Sequence, residues 1–503
     1  MPGKRPDPAT LAETEHELLV IGGGITGAGV ALQAARLGIR PLLLEKQDFA
    51  WGTSSRSTKM VHGGLRYIAQ GDIRLTRESL QERERLIREL PRLVVRHGYL
   101  FPSRKGRFPG RWSMTVLLWL YDRLAGIRDH RWISREEVLR RAPGMDPEGL
   151  QGGMTYTDAV TDDSRLVLRT LHEAVNAGAR VANYTEVLSV EPSEGSFQVR
   201  VRDGVTGAEH SLRAAKVINA TGAWADELSG GEPRVRPLRG SHLFVPAGRL
   251  PVEDCVAVVN PDDGRPVFVF PWEGVTCIGT TDLDHRQDPS CEAFATREEV
   301  DYLLGLVNRE FPGARLADRD VISSMAGVRP VITSGKGLDP SKERRDHAVW
   351  DDRGVITVSG GKLTTFRLIA LDALEAAELL SPGSARALRR SSEPLFVSDP
   401  GIPESLESPL SPVPDDEEAL RRMLGWALDH EMVVHLDDLL LRRTRLGLLR
   451  PGGAEALLEL VRELVMARAG WDDARWQRER ERYMNIIQHY YSLPQPPAAE
   501  RAA

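Results

Sequence analysis

The chain has 503 residues, of which 41% are hydrophobic and 27% charged, and its formal net charge is -6 at pH 7. This composition predicts a globular protein of two or three domains, and the acidic balance argues against the basic footprint that nucleic-acid binding needs. The three cysteines, Cys255, Cys277 and Cys291, form no CxxC pair, so we expect neither a disulfide framework nor a metal site, and a reducing compartment fits best.

The sequence gives no sign of membrane-spanning or signal segments. Its first residues, MPGKRPDPATLAETEHE, lack an apolar core, and no window reaches the about eighteen uncharged apolar residues of a membrane span. We therefore expect a cytoplasmic protein, or one bound peripherally at the cytoplasmic face of the inner membrane.

The predicted elements begin with a compact βαβ unit. Residues 17–21 are predicted to form a strand, 26–37 a helix that ends at Gly38, and 41–45 a second strand.

A glycine fingerprint lies inside this unit. Gly22, Gly24 and Gly27 form G-x-G-x-x-G between strand and helix, where they allow a tight turn, approach of a pyrophosphate and close helix–sheet packing. Glu45 ends the second strand, about twenty residues from the central glycine, where its carboxylate can accept both ribose hydroxyls of an adenosine. The unit predicts dinucleotide binding, and by itself it leaves NAD and FAD open.

The stretch GTSSRSTKMVHGGLRYIAQGD, residues 52–72, favours FAD. A nicotinamide enzyme would normally continue into further βα units, whereas this loop offers small hydroxyls for a pyrophosphate and a glycine pair where a flavin ring needs close backbone contact. The alternative is a glycine-rich surface loop.

Further elements follow in chain order. Helices are predicted at 72–90 and 162–177, then an antiparallel excursion of strands, and a strand-rich region at 235–332 interrupted by TREEVDYLLGLVNREF. The acids Asp162 and Asp163 are interpreted as a helix cap, not a catalytic dyad. Proline and serine at 391–416 indicate a linker or surface strap, and helical periodicity resumes beyond it.

Eight motifs in order carry a resemblance to a known family. GGGITGAG, SSRSTKMVHGGLRY, NATGAWAD, GSHLFV, VFVFPWEG…CIGTTD, AGVRPV, SGGKLTTFR and DHEMVVHLDDLLLRRTRLG make the chain similar to FAD-dependent glycerol-3-phosphate dehydrogenases, from about residue 17 to about 483. That family is part of the wider D-amino-acid-oxidase-like group of flavoproteins.

The resemblance implies a mixed α/β (α+β) fold with three parts: a glutathione-reductase-type FAD-binding Rossmann domain, an antiparallel-sheet substrate domain and a C-terminal helical cap. The predicted boundaries are 14–80, 150–234 and 350–390 for the FAD domain; 81–149 and 235–349 for the substrate domain; 391–416 for the linker; and 417–490 for the helical domain.

The fingerprint and the resemblance together predict a set of FAD-binding residues. The set is Gly22, Gly24, Ile25, Thr26, Gly27, Glu45, Lys46, Ser54, Ser55, Thr58, Lys59, His62, Gly63, Gly64, Leu65, Val187, Ala220, Thr221, Gly222, Trp224, Gly361, Lys362, Leu363 and Thr364.

The implied reaction is oxidation of sn-glycerol 3-phosphate to dihydroxyacetone phosphate by hydride transfer to flavin N5. A dianionic phosphate calls for guanidinium and ammonium groups. The resemblance points to a substrate site of Arg66, Tyr67, Arg329, Arg345 and Lys362. Arg344 is an alternative to Arg345, and Arg66 is placed at either substrate or flavin.

The catalytic prediction joins Arg329 and Lys362 with His242 as the proton acceptor, because an imidazole titrates near neutral pH. His242 as a buried structural residue and His62 as the competing base stay open. Cations that stabilise the alkoxide could also make a single base unnecessary.

The electron acceptor is left open between a quinone and oxygen. The family's dehydrogenases use quinone, and SRKGRFPGRWSMTVLLWLYDRLAG, residues 103–126, combines basic and aromatic residues suited to an anionic membrane surface. A buried helix with a solvated basic turn is the alternative interpretation. Other hypotheses are a glycerophosphate oxidase, an amine or amino-acid oxidase and a flavin-binding protein without catalysis; a homodimer is one candidate assembly.

The C-terminal segment HLDDLLLRRTRLG is interpreted as an ion-paired helix face, not a ligand site. Its charged residues are Asp437, Asp438, Arg442, Arg443 and Arg445.

Overall fold

The computed structural model describes residues 3–69, 71–228, 232–333 and 346–494. Its strands are β1 (Glu15–Ile21), β2 (Pro41–Leu44), β3 (Met60–Val61), β4 (Val94–Arg104), β5 (Arg131–Ile133), β6 (Leu150–Thr161), β7 (Arg180–Ala182), β8 (Thr185–Ser193), β9 (Ser196–Asp203), β10 (Glu209–Asn219), β11 (Val235–Pro246), β12 (Cys255–Val259), β13 (Pro266–Trp272), β14 (Val275–Gly279), β15 (Leu283–Asp284), β16 (Ser323–Ile332), β17 (His347–Asp352) and β18 (Val355–Gly360).

The α-helices are α1 (Pro8–Leu11), α2 (Ile25–Arg36), α3 (Leu65–Ala69), α4 (Ile73–Glu89), α5 (Arg111–Ala125), α6 (Arg135–Arg141), α7 (Asp163–Asn176), α8 (Arg297–Glu310), α9 (Phe366–Ala376), α10 (Pro382–Arg390), α11 (Glu417–His430), α12 (Leu446–Leu449), α13 (Pro451–Ala454), α14 (Leu458–Ala469) and α15 (Asp473–Ile486). Short 3-10 turns at Thr53–Ser55, Gly222–Leu228 and Leu363–Thr365 and a π-helical turn at Asp438–Arg443 bear on the site described below.

The first sheet has the strand order β17-β18-β10-β1-β2-β7, and the strands from β18 to β7 run parallel. Strand β2 is buried along its whole length, as expected for a parallel strand covered on both faces. Helices α2, α7 and α9 share one core with the sheet, which includes Ala31, Leu168 and Ile369. The predicted antiparallel excursion is present as β8 and β9, which pack Val199 and Val201 against the opposite face.

The second sheet has the order β15-β11-β14-β13-β12-β4-β6-β3, with β16 beside β11 and β5 beside β6. Its pairs are antiparallel, except that β4 and β12 run parallel. Strands β3 and β6 belong to this sheet by pairing, although they lie inside the predicted cofactor segments 14–80 and 150–234.

The C-terminal helices α11, α14 and α15 pack on the second sheet through a core that includes Trp272, Leu424 and Trp476. Residues 391–416 form a packed strap, because Phe396 is buried in the core of the first sheet and Ile402 in that of the second. The mixed α/β fold with a C-terminal helical part is thus confirmed.

Among the described residues, no helix combines the length and hydropathy that crossing a bilayer requires. Within the same residues, no group of histidine, cysteine, aspartate and glutamate side chains is arranged to hold a metal ion.

Candidate active site

A cavity of about 990 Å³ lies between the two sheets. Ile21 and Leu44, the last residues of β1 and β2, line one end, and Phe101 of β4 and Phe268 of β13 line the other. The cavity therefore begins at the carboxyl ends of parallel strands, between β1 and its neighbours, where ligands bind in open α/β sheets. Its volume falls in the range of ligand pockets, about 300–1,000 Å³.

The glycine fingerprint brings bare backbone to the cavity wall. Gly22 has φ +110°, and a Cβ there would lie 2.6 Å from the carbonyl oxygen of Ala220. A Cβ on Gly27 would lie 1.9 Å from the carbonyl oxygen of Gly22, so only glycine allows α2 to pack this closely. Helix α2 starts at Ile25, whose N–H donates to the Ser54 hydroxyl at 3.0 Å, and its positive end faces the cavity. This is the geometry that binds a phosphate.

Glu45 presents an anchored carboxylate to the same end of the cavity. One oxygen accepts the N–H of Gly23 at 2.6 Å and the other that of Gln47 at 2.8 Å. Burial raises the pKa of the Glu45 carboxyl, although these two backbone bonds oppose the shift. Each carboxylate oxygen accepts from one backbone amide, so its remaining lone pair can accept a hydrogen bond from a ribose hydroxyl.

At the other end, the segment after β3 contributes a neutral imidazole. His62 and Tyr67 line the cavity together with Thr58, which precedes β3. Burial, reinforced by the charges of Lys362 and Arg83, lowers the pKa of His62 to about 3. The His62 ring is therefore uncharged at neutral pH.

Lys362 supplies an ammonium group where β18 passes into α9. Its Nζ donates to the Ser79 hydroxyl at 2.9 Å and to the Gly63 carbonyl at 3.4 Å, and it lies 3.6 Å from the centroid of the Tyr67 ring. Burial lowers the pKa of Lys362 to about 7, against the opposing charge of Asp346.

Arg329 supplies a second cation from β16. Its guanidinium donates to the Thr280 hydroxyl at 2.9 Å and pairs with Asp282 at 3.0 Å, and 24% of its side chain stays exposed. Lys362 and Arg329 line the same cavity, so both side chains can bind an anion there.

Comparison with known proteins identifies the family. Residues 17–367 match the family described as FAD dependent oxidoreductase, and residues 398–476 match the C-terminal domain of alpha-glycerophosphate oxidase. The aerobic glycerol-3-phosphate dehydrogenase of Staphylococcus epidermidis is 37% identical over 376 residues, which cover 73% of this chain and 67% of the relative. The chain belongs to the family of FAD-dependent glycerol-3-phosphate dehydrogenases and oxidases.

Solved structures place the same fold around FAD. The glycerol-3-phosphate dehydrogenase of Bacillus halodurans, complexed with FAD, is 28% identical, with 95% of each chain covered and a TM-score of 0.72. The L-alpha-glycerophosphate oxidase of Mycoplasma pneumoniae, with FAD bound, is 19% identical, covers 73% of this chain and 95% of its own, and has a TM-score of 0.59. The second likeness shows the fold alone.

The cofactor of this FAD-dependent family fits the cavity, since the helix end suits its pyrophosphate and Glu45 its ribose. Most residues predicted to hold FAD line the wall; they are Gly22, Gly24, Ile25, Thr26, Glu45, Lys46, Ser54, Thr58, His62, Gly64, Leu65, Val187, Ala220, Thr221, Gly222, Trp224, Gly361, Lys362, Leu363 and Thr364.

Four predicted cofactor residues do not line the wall: Gly27, Ser55, Lys59 and Gly63. Lys59 is fully buried, and its ammonium donates to Asp163 and to the Ser55 carbonyl, both at 2.7 Å. The structure thus places Lys59 in an ion-pair cluster behind the site, where its ammonium is paired with Asp163.

His242 also lies behind the wall, in contrast to its predicted catalytic contact. Its Nε2 is 3.0 Å from the Thr58 hydroxyl, and it is Thr58 that faces the cavity. Burial, with the charges of Arg329 and Lys59, holds the pKa of His242 well below its ordinary value. The residue type of His242 made it a candidate base, but the sequence does not show which face of β11 its side chain occupies.

Two predicted substrate residues cannot be placed. Arg345 lies outside the described residues, as does its alternative Arg344. The backbone of Arg66 lies in α3, and its side chain is outside the described part.

The sequence did not predict several wall residues. Arg265 precedes β13 in a PDDGRP turn, and Asp158 comes from the middle of β6. The turn-forming residues around Arg265 predict a turn at that position, but no local pattern shows which cavity a turn faces.

Proposed function

We propose that the protein oxidises sn-glycerol 3-phosphate to dihydroxyacetone phosphate and that its electrons pass on to a quinone. The observation that carries the proposal is the pair of cations, Lys362 and Arg329, in a cavity whose other end fits a dinucleotide. Curated relatives named aerobic glycerol-3-phosphate dehydrogenase support the same substrate.

The chemistry needs a held phosphate, a hydride acceptor and a path for one proton. Bound FAD would supply the acceptor for the hydride that leaves C2. Lys362 and Arg329 bind the phosphate, with Arg345 and Arg66 as further predicted ligands. His62 lines the cavity as a neutral imidazole that can accept a hydrogen bond from the C2 hydroxyl, whereas His242 reaches the wall only through Thr58.

The test is an anaerobic absorbance spectrum of the FAD-loaded protein before and after addition of sn-glycerol 3-phosphate. We expect the oxidised flavin band to bleach, and we expect Lys362→Met to retain FAD while bleaching needs a much higher substrate concentration. A flavin band that persists in the wild type while an amine or amino acid bleaches it would overturn the substrate and favour the amine-oxidase alternative.

The same sample tests the acceptor. Addition of a short-chain quinone without oxygen is expected to restore the band quickly, and air alone slowly. Rapid recovery in air with formation of peroxide would favour a glycerophosphate oxidase.

Membrane contact belongs to this proposal. Helix α5 exposes Trp112 by 79%, Val116 by 66% and Trp119 by 55%, and Phe108 just before the helix is 85% exposed. The opposite side of the helix lines the cavity through Met114 and Leu117.

The occupant that we propose for this face is an anionic lipid surface. Exposed cations flank the aromatic residues: Lys105, Arg107, Arg111 and Arg123. Aromatic side chains enter the interface of a bilayer while basic side chains bind its headgroups. Because the face adjoins the cavity, an acceptor dissolved in lipid would reach the site from this side.

A further inference from the structure

A buried tyrosine behind the cavity contacts a carboxylate of the cavity wall, and the predicted mechanism gives neither residue a role. Tyr121 of α5 is 0% exposed and Asp158 of β6 is 3% exposed. The Tyr121 hydroxyl donates to Asp158 at 2.7 Å, and Arg83 of α4 pairs with the same carboxylate at 2.5 Å. The carboxylate is thus neutralised and its direction is fixed from two sides.

This pair holds the backbone of Gly63. The N–H of Gly63 donates to the Tyr121 hydroxyl oxygen at 2.9 Å, and the Gly63 carbonyl accepts from Lys362 Nζ at 3.4 Å. The two peptide groups that meet at Gly63 therefore link the buried pair to a cation of the cavity.

Neighbouring side chains pack closely against the Cα of Gly63. A Cβ at this position would lie 2.5 Å from a methyl carbon of Leu80 and 2.7 Å from the Tyr121 hydroxyl oxygen. The flanking residues His62 and Gly64 both line the cavity. A shift of the Gly63 peptide would consequently move the cavity wall.

We propose that Tyr121 and Asp158 are positioning residues that fix the Gly63 peptide and, through it, His62 and Lys362 at the flavin. Neither residue is assigned a contact with substrate in this role. The kinetic part of the proposal rests on the proposed function, whereas the spectroscopic part depends only on bound FAD.

The test compares Tyr121→Phe with wild type as FAD-loaded proteins. The substitution leaves the Gly63 N–H with only its 3.4 Å contact to Asp158. We expect a changed visible circular dichroism spectrum of the oxidised flavin and about a tenfold lower kcat/KM, the scale of one buried hydrogen bond. FAD content should remain that of wild type.

Tyr483→Phe is the matched control. Tyr483 is also 0% exposed and donates to a backbone carbonyl, that of Gly453, at 2.6 Å, but it lies in the C-terminal helices and does not line the cavity. We expect comparable loss of stability with the flavin spectrum and kcat/KM of wild type.

Asp158→Asn provides a second variant if Tyr121→Phe does not fold. Its amide oxygen still accepts from Tyr121, so we expect a spectral change in the same direction but smaller. Flavin spectra identical to wild type in the variants that fold would overturn the proposal. A changed spectrum in a protein that sn-glycerol 3-phosphate does not bleach would uphold the positioning role and overturn the proposed substrate instead.

Discussion

Lys362 is only partly protonated at neutral pH, because burial lowers its pKa to about 7. The carboxylates of Asp346, Asp72 and Asp158 oppose this shift and favour the ammonium form. If the proposed phosphate dianion lies beside Nζ, it would raise this pKa, and substrate and proton would then bind to Lys362 cooperatively.

This residue sets an expected pH dependence. Below about pH 7 the empty site carries the ammonium that we propose binds phosphate, and above it the charge is lost, so kcat/KM should fall as pH rises through about 7. Lys362→Arg keeps its charge over the whole range and should abolish that fall while lowering kcat/KM overall. Stopped-flow reduction of the flavin across pH gives the profile. An unchanged falling limb in Lys362→Arg would assign the titration to another group.

At the scale of elements, α5 faces two environments. Its outer side carries Trp112, Val116 and Trp119, while Tyr121 on its inner side is fully buried. A buried structural helix would not leave three large apolar side chains in solvent, whereas a helix that binds a surface would.

Binding to vesicles tests this helix. Trp112→Ser is expected to weaken binding to anionic phospholipid vesicles about tenfold, from the apolar area it removes from the contact, and neutral vesicles should bind weakly throughout. Val116→Ser and Val397→Ser form a matched pair, since these valines are 66% and 65% exposed. Only Val116→Ser should weaken cosedimentation with the vesicles. Equal effects of the two substitutions would contradict the assignment of this face of α5 to the membrane.

Local signals predicted individual elements well. The helix expected at 162–177 is α7, capped by Asp162 and followed by Gly178 with φ +109°, and the helix expected at 72–90 is α4, capped by Asp72. Caps and periodicity lie within the segment itself, so sequence shows them.

Those local signals did not predict which strands pair or to which side a given side chain points. Residues 150–161 were predicted to belong to the FAD domain, and they form β6, which pairs with β4 of the second sheet. Alternation shows which residues share a face and not which strand is adjacent. The same limit explains His242 and Lys59, whose residue types suited the site although their side chains point behind it.

At the scale of the whole molecule, buried ion pairs join the C-terminal helices to the cofactor loops. Arg442 and Arg443 of the π-helical turn both bind Asp48 at 2.5 Å, three positions after Glu45. Arg445 binds Asp162 at 2.8 Å and donates to the Ser55 carbonyl at 3.2 Å. The ion-paired interpretation of this segment is confirmed, and the pairs are buried instead of lying on a solvated face.

Removal of one partner should therefore affect both stability and cofactor. Asp48→Ala leaves two buried arginines without this carboxylate and is expected to cost about 3–5 kcal/mol, the scale for breaking a buried pair. Thermal unfolding followed by circular dichroism and by released flavin fluorescence should both shift to lower temperature. As a control, Arg421→Gln disrupts pairs with Glu417 and Glu463 on the surface and should shift neither by more than about 1 kcal/mol. Equal effects of the two substitutions would contradict the role given to the buried pairs.

The bond between Arg445 and Ser55 joins residues 390 positions apart. Synthesis proceeds from the N-terminus, so the loop beside the glycine fingerprint leaves the ribosome long before the arginine that holds it. The nascent chain can fold its βαβ unit early, whereas the bond to Ser55 forms only after Arg445 has been synthesised. A chain that ends before Arg445 lacks this bond, and we expect its Ser55 loop to be held less firmly than in the full-length protein.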